Sequence, residues 1–356
     1  MSNFKDDEVK ERKKFPLLHI GLFITTFITC LMAGTQWSYH DWSEVLNWHY
    51  GLTYAILILT FLSAHEFGHY FAAKLHKVKA TLPYYIPFPF TFALNFGTLG
   101  AVIKMKSRIP NKKVLFDIGV AGPIAGFVVA VSFLIYGFAT LPGVAHLYTI
   151  HPEYISQNSG NIPITGLYFG DTILYTILSN IFTNPNAFLP PMNEMYHYPF
   201  LNVGWFGLFV TTLNMLPMGQ LDGGHIIYAM FGDRIHAKIA KFTFYTLLVF
   251  GVFSMIGLFH DFLKIIPSND SLYYLHEDYF PATNRIYNIF PLAFKGWSGW
   301  LLWALLAKFV IKLQHPPTDS DEPLSKGRMV VGFIAIIILI LSFSYMGIYL
   351  VDTHNM

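Results

Sequence analysis

The chain contains seven apolar stretches, and their length restricts its fold more than any other feature. They lie near residues 16–34, 51–73, 114–141, 202–230, 242–265, 296–314 and 329–351. About 20 apolar residues span the hydrocarbon core of a bilayer. Only 12% of the residues are charged, about half the share that is usual in soluble domains. The sequence therefore predicts an all-α polytopic membrane protein with about six or seven transmembrane helices, some of them kinked or split.

Basic residues are concentrated between alternate pairs of these stretches, and connection 142–199 has none. Because Lys and Arg accumulate on the cytoplasmic side of a membrane, we expect residues 1–15 to be a cytoplasmic N-terminal tail. A single integral-membrane domain is expected over 16–351, with an extracytoplasmic loop region at 142–199 made of short helices and loop. The net charge is close to neutral, so no nucleic-acid partner is expected.

The start of the chain favours a retained first helix. A charged segment precedes the first apolar stretch, and a small-residue cleavage pattern is not evident. A transit peptide rich in Ser and Arg is not evident either. We therefore expect an integral protein of a bacterial cytoplasmic membrane, with the N-terminus in the cytoplasm.

The cytoplasmic connection 78–113 does not have the pattern of a helix. Three prolines preclude a regular helix there, at Pro83, Pro87 and Pro89. Ile103 and Met105 then alternate with lysines, a period that is typical of a strand. The segment predicts a β-hairpin or re-entrant loop, which is tolerated at membrane depth only beside protein or a water-filled cavity. An amphipathic loop on the membrane surface is the alternative.

The second apolar stretch contains the motif His65-Glu66-x-x-His69. Positions i and i+4 of a helix share one face, so both imidazoles can bind one metal ion, and Glu66 can reach its water as a general base. Ionisable residues inside a membrane span are costly and functional by default. Histidines that only form hydrogen bonds within a helix bundle are the alternative.

A catalytic zinc usually has three protein ligands and an open fourth position, so one ligand must come from elsewhere. Measured from about residue 206, Asp222 lies about 16 residues, or ~24 Å, along its helix, and His65 lies about 14 residues, or ~21 Å, into the second stretch, so the two positions have a similar depth. Pro217 breaks the helix just before Asp222, and Gly223 and Gly224 permit close backbone approach. An aspartate that caps a helix at the interface is the alternative. The predicted ligands of one Zn²⁺ per chain are His65, His69 and Asp222.

Two motifs in separate stretches give a specific resemblance. HEFGH and the later N-x-x-P-x-x-x-LDGG closely resemble the site-2 protease family of intramembrane zinc metalloproteases, peptidase family M50. GTLGAVIKMKSRIPNKK, followed by LFDIGVAGPIAGF, and HPPTDSDEPLSKGR look like the branch of that family that lacks a PDZ domain and includes bacterial and plastid members. Connection 142–199 is too short for such a domain. The resemblance covers about residues 50–330, with a catalytic core at about 50–230.

The resemblance implies zinc binding by the three ligands and a base at Glu66. It also implies that Asn214 is a catalytic polar group that faces the substrate or the oxyanion. A hydrogen bond in helix packing is the alternative role for Asn214. His225, which follows the LDGG motif, is not assigned a catalytic role because it can simply lie at the inner interface.

The predicted activity is hydrolysis of a peptide bond in or near a transmembrane segment, near the cytoplasmic side. The expected partners are the lipid bilayer and membrane-protein substrates with a single transmembrane helix. A metal-ion transporter would also use intramembrane His and Asp, but an internal repeat is not evident. A relative that binds membrane segments without cutting them is the third possibility, and the intact catalytic set disfavours it. The sequence does not indicate whether the chain forms homo-oligomers.

Overall fold

The computed structural model describes residues 16–89, 96–318, 320 and 322–351, and helices dominate this part of the chain. The prediction for the N-terminal tail falls on residues outside these ranges. The helices are α1 (Leu17–Trp37), α2 (Leu52–Leu75), α3 (Lys112–Ala139), α4 (Ala145–Ile150), α5 (Glu153–Ser156), α6 (Ile173–Phe182), α7 (Pro199–Met215), α8 (Asp222–Phe231), α9 (Asp233–Ile265), α10 (Tyr273–Ile289), α11 (Pro291–Phe294), α12 (Gly299–Leu306) and α13 (Lys326–Ser342).

In the described part of the chain, four short strands accompany the helices and form two antiparallel pairs. β1 (Tyr84–Pro87) pairs with β2 (Thr98–Val102), and β3 (Gly166–Phe169) pairs with β4 (Ile348–Val351). Short 3₁₀ helices precede α2 and α7, and a π-helical turn follows α12. The mostly helical prediction with one small hairpin is confirmed, and the β3–β4 pair is an addition that the sequence did not indicate.

Among the residues that the structure describes, four helical segments are long and apolar enough to cross a membrane by length and composition. They are Leu17–Trp37, Val45–Leu75, Lys112–Ala139 and Asp233–Ile265. The chain is therefore a helical integral membrane protein. The fourth predicted stretch is divided between α7 and α8, and the sixth between α12 and the π-helical turn. The total of six or seven crossings stays a prediction.

Two segments differ from the sequence interpretation. The stretch 329–351 is helical only through α13, because the chain turns at Gly347, with a φ of 50° that favours glycine, and then forms β4. The connection 266–291 is polar, yet most of it forms α10. This helix packs on α9, where the rings of His260 and Phe280 stack. A polar composition therefore did not prevent a helix, because the aromatic residues of α10 gain a helical partner.

The core of the molecule is formed by α2, α3 and α7. Phe61 of α2 and Trp205 of α7 are fully buried. A Cβ added at Gly207 of α7 would contact Ala130 of α3 and the Phe61 ring. In a membrane, where no hydrophobic force drives helices together, small residues that allow close packing supply much of the association. These three helices consequently hold fixed positions around the centre of the molecule.

We call the end of the bundle where α1 and α3 finish and α2 and α7 begin the loop end. Residues 142–199 connect α3 to α7 here, and they contain α4, α5, β3 and α6. The predicted mixture of short helices and loop is confirmed, with β3 as the exception. The tip of α1 also contacts this segment, because Nδ1 of His197 donates a hydrogen bond to the carbonyl of Trp37.

The β1–β2 hairpin lies along α1 for most of the length of that helix. Nδ1 of His19 is 3.1 Å from the carbonyl oxygen of Pro83, and the rings of Trp37 and Phe96 have centroids 5.9 Å apart. Residues 19 and 37 are separated by ~27 Å along a helix. The predicted hairpin is thus confirmed, and its re-entrant position in the membrane stays a prediction. The tip of the hairpin, 90–95, lies outside the described residues.

Candidate metal centre

Two imidazoles and one carboxylate meet where α2 faces the start of α8. His65 and His69 lie one turn apart on α2, and their Nε2 atoms are 3.1 Å apart. Asp222, the first residue of α8, places Oδ2 3.3 Å from each of these nitrogens. Both histidines are buried, and the Asp222 side chain is 16% exposed. The structure therefore brings together all three residues that the sequence named as ligands.

The break between α7 and α8 puts Asp222 in this position. α7 ends at Met215, and the chain turns through Gly219, whose φ of 52° favours glycine, before α8 begins. A Cβ at Gly223 would overlap the carbonyl oxygen of Met215. The proline and glycines that flank Asp222 thus serve a geometric need, since they allow the chain to fold back tightly just before the carboxylate.

The third helix presents a glycine to the histidine pair. A Cβ at Gly122 would fall on the His69 ring. In the same part of α3, the carbonyl of Ile118 accepts a hydrogen bond of 2.7 Å from Nδ1 of His69. Because a carbonyl can only accept, Nδ1 carries the hydrogen, and Nε2 of the neutral ring directs its lone pair towards Asp222. Such an outer partner orients a metal-binding histidine.

The donor set fits zinc. Zinc in proteins binds imidazole nitrogen and carboxylate oxygen at about 2.0–2.2 Å in tetrahedral geometry, which separates neighbouring ligand atoms by about 3.4 Å. The three separations here are 3.1, 3.3 and 3.3 Å. A metal ion placed between several acceptor atoms that converge in a buried space would satisfy all of them. His65, His69 and Asp222 form one of two such groups among the described residues.

Glu66 and Asn214 complete the polar set that the sequence identified. Oε1 of the buried Glu66 is 4.0 Å from Nε2 of His65. Asn214 lies in the last turn of α7, and its Nδ2 is 3.4 Å from the same nitrogen. A carboxylate that can accept a proton and an amide that can donate a hydrogen bond therefore both lie next to the ligand His65.

The hairpin borders this centre. The hydroxyl groups of Ser63 on α2 and Tyr85 on β1 are 2.7 Å apart and form a hydrogen bond. The backbone of Ile103, which follows β2 directly, interacts with the carboxyl group of Glu66. Part of the predicted hairpin in connection 78–113 is therefore β2, and the residue that follows this strand reaches the proposed base.

Two contacts around the centre were not found by sequence reasoning. Nδ1 of His225 is 2.7 Å from Nε2 of His315, and Arg328 donates two hydrogen bonds of 2.7 Å to Asp117. His315 and Arg328 lie in HPPTDSDEPLSKGR and Asp117 lies in LFDIGVAGPIAGF. The motifs were visible in the sequence, but their pairing was not. The histidine contact fastens the segment before α13 to α8, and the Arg328 contact fastens the first turn of α13 to α3.

A His-Glu-x-x-His centre that is buried among apolar helices defines a class of protein, namely membrane proteins with a site of the zinc-metalloprotease type. The model of peptidase family M50 matches residues 53–258, more than half of the chain and all five residues of the polar set. The chain belongs to peptidase family M50.

Several plant proteins are similar to this chain. "Probable zinc metalloprotease EGY1, chloroplastic" of Arabidopsis thaliana is 33% identical over 179 residues, 50% of this chain and 29% of the relative. The protein of that name from Oryza sativa subsp. japonica is 35% identical over 192 residues, 53% and 29% of the two chains. "Probable zinc metalloprotease EGY3, chloroplastic" of Oryza sativa subsp. indica is 28% identical over 250 residues, 67% and 39%. The chain thus spans 29–39% of these curated relatives. No solved structure is significantly similar to it.

Proposed function

We propose that this member of family M50 is a zinc-dependent intramembrane endopeptidase. It hydrolyses a peptide bond in or near the transmembrane segment of membrane proteins with a single such segment. The observation that supports this most is the buried position of His65, His69 and Asp222 on apolar helices, with Glu66 beside them. The plant relatives described as probable zinc metalloproteases agree with this class of activity.

The residues of the centre have separate roles in the proposed reaction. Zinc, when bound, supplies a Lewis acid that activates water and polarises a carbonyl group. Glu66 takes a proton from the attacking water and gives it to the leaving amine, so a C–O bond forms and the peptide C–N bond breaks. Asn214 donates a hydrogen bond to the carbonyl oxygen that gains negative charge. The Ile118 carbonyl keeps His69 in the tautomer that can bind the metal.

The hairpin has a role in presenting the substrate. The carbonyl groups of a helix are hydrogen-bonded, so a transmembrane substrate must unwind before it is cut. β2 pairs with β1 on one side, and the described residues form no third strand in this sheet. An unwound substrate can therefore add to the other edge of β2, which leads through Ile103 to Glu66. Cleavage that is unchanged in Ile103→Pro would contradict this part of the proposal.

The orientation in the membrane is part of the proposal. We infer that the N-terminus and the metal centre lie towards the cytoplasm, because basic residues accumulate on that side. The names of the plant relatives place those proteins in chloroplasts, and for this chain the bacterial cytoplasmic membrane stays a prediction. Single cysteines introduced into 142–199 of a Cys30→Ser protein test the orientation. They should react with an impermeant thiol reagent from outside the cell.

The main test compares wild type with Glu66→Gln on a panel of single-span membrane substrates, with zinc quantified in both proteins. We expect cleavage by wild type, a loss of at least about 10²-fold in Glu66→Gln and equal zinc contents. Glu277→Gln, at an exposed position of α10, is the matched control and should cleave like wild type. Equal cleavage by Glu66→Gln would contradict the assigned base. Absence of zinc from wild type would contradict the ligand set and favour a different class of membrane protein.

A further inference from the structure

A second group of two imidazoles and one carboxylate lies at the loop end. Nε2 of His151 and Nε2 of His197 are 2.9 Å apart, and Oε2 of Glu194 is 3.4 Å from the His197 nitrogen and 3.8 Å from the His151 nitrogen. The three side chains are 0–6% exposed. We propose that His151, Glu194 and His197 bind a second divalent transition-metal ion, which fastens the loop end of the molecule. This structural site does not depend on the proposed proteolytic function.

Both imidazoles are held in the orientation that metal binding requires. Nδ1 of His151 is 2.7 Å from Oε1 of Glu153, and Nδ1 of His197 is 2.7 Å from the carbonyl oxygen of Trp37. Carboxylate and carbonyl oxygens accept hydrogen bonds, so each Nδ1 carries a hydrogen. In the neutral rings, each Nε2 therefore has a free lone pair. Metal-binding histidines commonly donate their other ring N–H to a carboxylate or a backbone carbonyl in this way.

The carboxylate of Glu194 is oriented as well. The Tyr154 hydroxyl donates a hydrogen bond of 2.7 Å to Oε1 of Glu194. The other oxygen, Oε2, is buried and makes no hydrogen bond with any described residue. A single proton shared between His151 and His197 would satisfy the two rings and leave Oε2 with longer ionic contacts of 3.4 and 3.8 Å and no hydrogen bond. A metal ion placed between the three residues satisfies all three acceptors, which is why the geometry favours a metal over a shared proton.

The chemistry of the donors suits zinc and related ions. Imidazole and carboxylate ligands are typical for first-row divalent metals. The observed separations of 2.9, 3.4 and 3.8 Å lie on either side of the ~3.4 Å between neighbouring ligands of tetrahedral zinc.

Aromatic side chains cover the cluster. The Tyr154 ring stacks on His151 with centroids 4.6 Å apart, and the Tyr39 ring centroid lies 4.3 Å from that of His151. Tyr39 has a φ of 60°, in the left-handed region that a bulky side chain rarely occupies. Tyr39 also lines a cavity of about 940 Å³ together with Trp37 and Tyr196. Tyr39 and Tyr196 therefore separate this cavity from the cluster, whose three ligands do not line it.

The proposed ion connects three parts of the chain. His151 follows α4, whereas Glu194 and His197 immediately precede α7, and His197 is tied to the end of α1 through the Trp37 carbonyl. Because metal bound only by the folded state stabilises that state, the ion would fix the start of α7. About 22 Å along this helix lies Asn214.

The test counts zinc in the full-length protein purified in detergent. Wild type should hold about two zinc ions per chain. His151→Ala/His197→Ala should lose one of them, and His65→Ala/His69→Ala should lose the other. His146→Ala, which removes an exposed histidine of the same segment, is the control and should keep both. One zinc in wild type and none in His65→Ala/His69→Ala would overturn the proposal and leave a shared proton at the loop end.

The variant His151→Ala/His197→Ala could lose zinc because it misfolds, so a spectroscopic measurement examines the second site with its histidines intact. His65→Ala/His69→Ala protein that is loaded with Co²⁺ should show the absorption bands of a low-coordinate nitrogen and oxygen site. Adding Glu194→Gln to this background should weaken Co²⁺ binding by about 10–100-fold, the range for a perturbed metal site. A wild-type protein that holds both zinc ions but cleaves no substrate would count against the proteolytic function only. Absence of Co²⁺ bands in the folded background would count against the second site only.

Discussion

The two histidine–carboxylate groups have the same donor types but very different surroundings. At the inner group, Asp222 is 16% exposed, and Glu66 and Asn214 lie next to His65. At the loop end, both Nδ1 atoms and one carboxylate oxygen already have partners, and tyrosine rings cover the imidazoles. Catalytic zinc sites keep one position open, whereas structural sites are closed.

This comparison teaches that the ligands alone do not define chemistry. Two histidines and a carboxylate provide a place for a metal. A neighbouring base, a hydrogen-bond donor and an approach for the substrate make the inner group suited to hydrolysis. The loop-end group lacks a second carboxylate on its metal-facing side among the described residues, because Glu153 is engaged with the far nitrogen of His151.

The strongest test of this difference between a catalytic and a structural group is to remove one ligand from each. His69→Ala should lower cleavage by at least about 10³-fold, because a metal ion contributes several kcal/mol to the transition state. His197→Ala should retain cleavage and lower the thermal unfolding midpoint. Cleavage rates, zinc contents and unfolding curves of the two variants make the comparison. Loss of cleavage in His197→Ala without unfolding would show that the two groups act in one reaction.

A smaller but still large effect is expected from the glycine beside His69. Gly122→Ala places a methyl group where the imidazole lies, so His69 must move, and misplacement by about 1 Å costs about 10²-fold in rate. Gly21→Ala is the matched control, since a Cβ there meets nothing within 4 Å. Rates and zinc content are measured for both. Normal cleavage by Gly122→Ala would show that α3 can shift away from His69 and accommodate the added methyl group.

The outer hydrogen bond of the loop-end group gives the next effect. Tyr154→Phe removes the donor to Oε1 of Glu194 and keeps the ring that stacks on His151. Loss of such an outer contact typically weakens metal binding by about 10–100-fold. Competition with a zinc chelator measures the affinity, with cleavage as the control that should not change. Unchanged affinity would mean that the stacked ring alone orients the site.

The smallest effect is expected at the ion pair between α3 and α13. Arg328→Lys loses the paired hydrogen bonds to Asp117, because an ammonium group cannot reproduce the planar fork of a guanidinium. Both side chains are partly exposed, so the free energy of unfolding should fall by about 1 kcal/mol or less. The unfolding midpoint is the measurement, and Arg285→Lys, at an exposed position of α10, is the control. Equal midpoints would show that the two guanidinium hydrogen bonds contribute no net stability beyond that of a lysine at this position.

The inner group could be anticipated from the sequence because local rules determine it. The spacing of His65 and His69 gives one helix face, and a similar depth in two apolar stretches pairs them with Asp222. The loop-end group carries a weaker signal. Glu194 and His197 are spaced i, i+3, but His151 is 43 residues from Glu194, and no periodicity measures that distance. β3 and β4 are four-residue strands far apart in sequence, so their pairing depends on tertiary contacts that local patterns do not contain.

The β3–β4 pair has a consequence for how the molecule is made. The Trp205 indole of α7 donates a hydrogen bond to the carbonyl of Gly170, and the amide of Gly170 donates one to the carbonyl of Gly347. α8 ends at Phe231, so every residue of the inner metal centre is synthesised more than 100 residues before this fastening can close. At translation rates of about 5–20 residues per second, the delay is on the order of ten seconds. A newly made chain therefore passes through a period in which the inner metal centre has all its residues while β3 still lacks its partner strand β4.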